Sequence, residues 1–212
     1  MKTVSIKNMK LFEIHDGGTP CCGGRQAWYL TGFKRLAGCG PTVFAGIINY
    51  VNRNQSGLSG EPDPIAKADF VTLMEAVWQY VTPGIQGIPT TAAFMKGARA
   101  YLDAKGLPFT LESCDIQARK AARPGLGAVA DFIARALNDD MPVAFLSLDK
   151  GTEPFVDTWH WVTLLSLSWD EDALRLEADI ADEGRLFHVN LKNWLETTRR
   201  GGGFVRLKRL DN

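Results

Sequence analysis

Hydrophobic positions fall into two textures along the chain. From Val43 to Val51, apolar residues recur at three- and four-residue steps: Val43, Ile47 and Tyr50, with Phe44, Ile48 and Val51. That spacing predicts a helix with a broad buried face. Pro41 suits its first turn, where a missing N–H is no loss. Ile65, Phe70, Leu73, Met74, Val77, Trp78 and Val81 predict a second helix over 64–81, broken by Pro83 to Pro89. A third carries Phe94, Met95, Ala98, Tyr101 and Leu102 on one face, capped by Thr90 or Thr91 and ended by Gly106. A fourth covers 127–137 and stops at Asn138-Asp139-Asp140.

After Pro142 the texture changes. Short runs at 143–148, 160–169, 173–180, 186–191 and 204–210 are separated by turn-rich stretches and read as strands. One more strand is predicted at 109–116, and 192–198 is at most a short helix. Near the start, residues 3–14 read as one or two short strands. Residues 15–24, with Gly17-Gly18 and Gly23-Gly24, read as a loop, as do residues 54–63. Helices first and an antiparallel sheet second imply an α+β fold.

Composition narrows the partners. Lys plus Arg equals Asp plus Glu at 24 each in 212 residues, so no polyanion is called for and nucleic acid is not expected. The basic cluster Arg199-Arg200, Arg206, Lys208 and Arg209 alternates with apolar residues, as on a solvated strand face. No stretch is apolar enough to span a bilayer, and residues 1–7 lack a signal-peptide core. Cysteines 21, 22, 39 and 114 form neither a disulfide framework nor a zinc-ligand pattern, so a cytosolic location with reduced thiols, and no metal or cofactor, is expected.

One cysteine stands apart. Gly38-Cys39-Gly40-Pro41-Thr42 places Cys39 at or just before a helix N-terminus, where the dipole favours a thiolate. Gly38 and Gly40 would leave room around its sulfur. The plain alternative is a small buried residue capping a packed helix. A nucleophilic Cys needs a base and a group to orient that base. His160 opens the strand Trp159-His160-Trp161-Val162-Thr163, and could equally be a strand histidine bonded to backbone. His15 lies in a Gly-rich loop, and His188 alternates with apolar neighbours on a strand. Asp182 sits at a strand-to-turn junction next to the His160 strand, with Asp179 as runner-up; a turn aspartate before Gly184 is the alternative. The order Cys, His, Asp, with His160 and Asp182 about 120 and 140 positions after Cys39, approaches the papain layout.

Three segments then carry a resemblance: Gly-Cys-Gly-Pro-Thr at 38–42, His-Trp-Val-Thr at 160–163, and Ile-Ala-Asp-Glu-Gly-Arg-Leu-Phe-His-Val-Asn-Leu-Lys-Asn-Trp at 180–194. They resemble the signature blocks of papain-like cysteine peptidases, nearest to the bacteriocin-processing (double-glycine leader) peptidases and their bacterial relatives. The resemblance implies a papain-like α+β fold with Cys39 as nucleophile, His160 as base and Asp182 as orienter. Its matched portion is about 27–54 and 142–194, leaving 55–141 as a helical insertion or subdomain of a single 1–212 domain. The family's Gln about six residues before the Cys is replaced by Phe33 and Lys34; either Gln26, thirteen residues upstream, reaches in from a loop to complete the oxyanion hole, or backbone N–H groups at the helix start serve alone, or turnover is weak. Trp159 and Trp161 are expected as substrate walls. Three functions follow from this site: hydrolysis of a peptide or other amide or acyl substrate, acyl transfer by the same triad, or a non-catalytic scaffold. Oligomeric state is not legible.

Overall fold

The computed structural model describes residues 1–55, 63–170 and 175–210. Most of the loop expected at 54–63, and positions 173 and 174 of an expected strand, lie outside the described residues. In chain order the elements are β1 (Lys2–Ser5), β2 (Glu13–Asp16), β3 (Thr19–Cys22), α1 (Gly32–Ala37), α2 (Cys39–Gln55), β4 (Ile65–Ala66), α3 (Lys67–Trp78) and α4 (Thr91–Ala104). β5 (Phe109–Ile116), α5 (Leu126–Asn138), β6 (Val143–Ser147), β7 (His160–Trp169), β8 (Leu176–Asp182), β9 (Arg185–Asn190), α6 (Leu191–Thr197) and β10 (Gly202–Arg209) complete it.

Seven strands form an antiparallel sheet in the order β5-β10-β6-β7-β8-β9, and β1 also pairs with β7. β6 borders His160 to Leu164 of β7, and β1 borders Ser166 to Trp169. β1 therefore continues the β6 side of β7 beyond the end of β6. Every residue of β6 and the first six of β7 are buried, so both faces of the sheet centre are covered. α2 packs on β6 and β7, α4 on β5 and β10, and α5 on β1, β6, β7 and β10.

α2 is the hub because it is apolar nearly all round. Phe44, Ala45, Ile47, Ile48 and Tyr50 are fully buried, and Gly46 lets the Phe12 ring lie against the helix, where a Cβ would come within 3.0 Å of it. A helix that is hydrophobic on every side belongs in the interior. Its far end is pinned by the buried carboxylate of Asp140, which accepts from the Tyr50 hydroxyl (2.6 Å), the Asn54 Nδ2 (2.7 Å) and the Lys7 N–H (2.7 Å).

The structure corrects three readings. Residues 15–24 are not simply a loop: Thr19–Cys22 pairs with Glu13–Asp16 as a hairpin around Gly17 and Gly18, both at positive φ. The predicted helix over 64–81 begins only at Lys67, because Ile65 and Ala66 pair with β2 in parallel. The main sheet is not confined to 142–210, since β1 and β5 join it. The stretch 55–141, expected as a helical insertion or subdomain, carries the strand expected at 109–116. It supplies β5, which pairs with β10 over eight residues.

Candidate active site

Cys39 is the first residue of α2, immediately after the turn that ends α1. The link is a single residue, Gly38, whose carbonyl accepts the Thr42 N–H at 3.0 Å. A Cβ on Gly38 would lie 2.4 Å from the Lys34 carbonyl and 2.6 Å from the Tyr29 ring; one on Gly40 would lie 2.8 Å from Ile88. Both glycines are therefore needed for close packing at this turn. Pro41 has no N–H and that of Thr42 is committed, which leaves the N–H groups of Cys39 and Gly40 as the donors of this helix end.

His160 begins β7, preceded by Trp159 at φ +59°, a left-handed backbone that a bulky residue rarely adopts. The residue is 9% exposed, and its Nε2 lies 2.7 Å from Asp182 Oδ1. With Nε2 engaged by the carboxylate, the neutral ring carries its proton there and presents the Nδ1 lone pair. The Cys39 thiol is the other group that acts on the ring's titration. Burial alone would lower the His160 pKa, but the bonds to Asp182 and Cys39 prevail and push it up to about 10. Cys39, His160 and Asp182 share the wall of a cavity of about 20 Å³, just over the space one water needs.

Asp179 is elsewhere. Three residues from Asp182, it faces the opposite side of β8, where it pairs with His188 Nδ1 (2.9 Å) and accepts from the Ser166 hydroxyl (2.7 Å). His15 is bonded to Glu13 at 2.7 Å. Neither histidine shares the wall of the Cys39 cavity.

Two recesses flank the thiol–imidazole pair. One, of about 390 Å³, is walled by Leu36, Ile85 and Trp159 and ends on Cys39. Trp159 is half-exposed, with the Arg200 guanidinium 5.6 Å from its ring centre. The other, of about 520 Å³, is polar: Gln26, Lys150, Asp157, Thr158 and Glu183 surround His160. Gln26, thirteen residues upstream of Cys39, thus lines a recess beside His160. Trp161, expected as a second substrate wall, shares the wall of the Cys39–His160–Asp182 cavity and is otherwise packed into the core. It is 2% exposed, stacks on Phe94 at 4.3 Å between ring centres, and donates its indole N–H to the Ile88 carbonyl at 2.8 Å.

Glu183 was not among the residues singled out from the sequence. Its signal is Asp-Glu-Gly between two strands, a two-residue turn with a glutamate where Asn or Asp is usual. Among the described residues no cluster of three His, Cys, Asp or Glu side chains is placed to hold a metal, and no helix is long and apolar enough to cross a membrane.

Neither a protein-family model nor a curated protein matches the chain. Solved structures do. The crystal structure of UfSP from C. elegans superposes with a TM-score of 0.53 at 11% identity, over 97% of this chain and 33% of that one. The fold is papain-like. At that identity the likeness speaks for the fold alone. The chain spans about a third of the length of the UfSP chain.

Proposed function

We propose that the protein is a cysteine-dependent amide-bond hydrolase acting on peptide segments, with Cys39 as nucleophile, His160 as base and Asp182 as orienter. The observation that carries this reading is the Asp182–His160 bond at 2.7 Å beside a thiol on the first residue of a buried helix. His160 Nδ1 takes the thiol proton, and the sulfur attacks the amide carbonyl carbon. The oxyanion is met by the Cys39 and Gly40 N–H groups and by the Gln26 amide. His160 then returns its proton to the leaving amine as the C–N bond breaks. Water, deprotonated by the same ring, releases the acid from the acyl-sulfur intermediate. The motif segments resembling the double-glycine leader peptidases fall on these residues, and the papain-like fold supports the same chemistry.

Acyl transfer drew on two tryptophans screening the intermediate from water. Trp161 is almost wholly buried, and of the two only Trp159 lines the larger recess at Cys39, which favours hydrolysis as the reading kept. The scaffold reading drew on the absent glutamine, and Gln26 lining the His160 recess favours turnover over it. We also read 1–212 as one domain, since β5 lies in the main sheet.

The test is alkylation of each thiol by iodoacetamide between pH 5 and 9, followed by mass spectrometry. Cys39 is expected to react at mildly acidic pH, and to lose that reactivity in His160→Ala. Cys22 and Cys114 should lag, because burial first, and neighbouring carboxylates next, push both thiols up to about 11. Equal rates for Cys39 and Cys114 at pH 6 would refute the reading.

A further inference from the structure

Glu183 occupies a backbone position that a glutamate does not favour. The β8–β9 connection has two residues, Glu183 and Gly184, at φ +44° and +79°, with Asp182 and Arg185 paired across it. Such turns favour Asn or Asp followed by Gly, since longer side chains crowd the carbonyl in the left-handed region. What glutamate adds is reach. Its Oε1 accepts the backbone N–H of Gln26 at 2.9 Å, from a residue 157 positions away. That N–H opens the 3-10 turn Gln26–Trp28, whose own cap residue, Arg25, makes no side-chain bond to it. The Gly184 carbonyl accepts the Cys22 N–H at 2.9 Å, so the turn grips the 22–26 segment at two points.

We propose that Glu183 is a positioning residue: by clamping the Gln26 backbone it aims the Gln26 amide at the oxyanion formed on Cys39 acylation. This rests on the hydrolase reading above. Two observations support it beyond the clamp. Gln26, Glu183 and His160 line one recess, and Gln26 Oε1 is buried without a partner among the described residues, so no side-chain acceptor of its own fixes this residue. The carboxyl of Glu183 is half-buried, which pushes its pKa up, while the Gln26 N–H holds it down. A single two-residue turn would then set both halves of the chemistry, His160 through Asp182 and the oxyanion donor through Glu183.

Two reagents separate these halves. p-Nitrophenyl acetate acylates through an oxyanion: the sulfur attacks the carbonyl carbon, a C–S bond forms, and p-nitrophenolate leaves with the electron pair of the broken C–O bond. Iodoacetamide reacts at a saturated carbon, expelling iodide without any oxyanion. Glu183→Gly is expected to slow burst acylation of Cys39 roughly ten- to hundredfold, to change its alkylation rate by less than about twofold, and to keep or raise Tm by relieving the positive φ. Gln26→Ala should show the same loss, and the double variant no further loss. Glu183→Gln, which keeps an acceptor oxygen, should recover most of the rate. Wild-type acylation in Glu183→Gly would overturn the Glu183 role and leave the hydrolase reading standing. Parallel losses in both reactions would overturn it too, placing the effect on the thiol–imidazole pair. Wild-type protein whose Cys39 alkylates but never acylates would overturn the hydrolase reading, and the clamp with it.

Discussion

Replacing Asp182 by Asn removes one charge from a buried pair and keeps its shape, so the consequence can be worked from the site. The Nε2–Oδ1 bond is 2.7 Å, with side chains 11% and 15% exposed. A charge-assisted bond of this kind contributes about 1.5–3 kcal/mol. The rise of the His160 pKa from 6.5 to about 10 sets a ceiling on the order of 5 kcal/mol, of which Cys39 supplies a share. Asp182→Asn is therefore expected to lose about 2 kcal/mol near neutral pH, or roughly 4–8 °C in Tm for a chain of this size. The pH dependence fixes the sign. A raised folded-state pKa means that the native protein holds the proton more tightly than the unfolded chain. That stabilisation is complete below about pH 6.5 and is lost as pH climbs toward 10. The difference between wild type and variant should thus be largest at pH 6 and shrink by pH 10. Urea unfolding followed by tryptophan fluorescence at pH 6, 8 and 10, in reductant, measures it. A difference that stays flat across that range, or widens at pH 10, would sink the assignment of Asp182 as the partner holding a protonated His160.

Two further outcomes follow from packing. Gly38→Ala would drive a Cβ to 2.4 Å from a backbone carbonyl that cannot give way, so a loss of about 2–3 kcal/mol and a slowed Cys39 alkylation are expected, read by calorimetry and by mass spectrometry. Asp140→Ala would strand the Tyr50 hydroxyl, the Asn54 amide and the Lys7 N–H at once, and should cost about 3–5 kcal/mol by chemical denaturation while leaving Cys39 reactivity per folded molecule unchanged.

Much of the frame is legible in local pattern. The strand 109–116 and the start of β7 at His160 agree with the structure to the residue, and Thr90 caps α4 by accepting the Ala93 N–H. Cys39 at the start of α2 follows from Gly-Cys-Gly-Pro and the periodicity behind it. What local pattern misses is set by distant partners. Thr19–Cys22 reads as a loop because glycine pairs flank it, and it becomes a strand only against Glu13–Asp16. Alternation along β8 puts Asp179 and Asp182 on opposite faces, yet does not say which face meets the Cys39 helix. The apolar run from Trp161 to Leu165 carries no polar rhythm, so the burial of Trp161 against Phe94 depends on α4, some seventy residues earlier. That both glycines beside Cys39 also give clearance to Tyr29, Lys34 and Ile88 is set by those distant partners and is not readable locally.

The place of β10 has a consequence for how the molecule comes into being. It lies between β5 and β6, both completed more than fifty residues earlier in the chain. While residues 202–209 are still inside the ribosome, β5 has no neighbour to pair with and β6 presents an open edge. The two halves of the sheet wait for their keystone. Such non-local pairing makes folding slow, and it leaves that edge in need of protection until residues 202–209 have emerged.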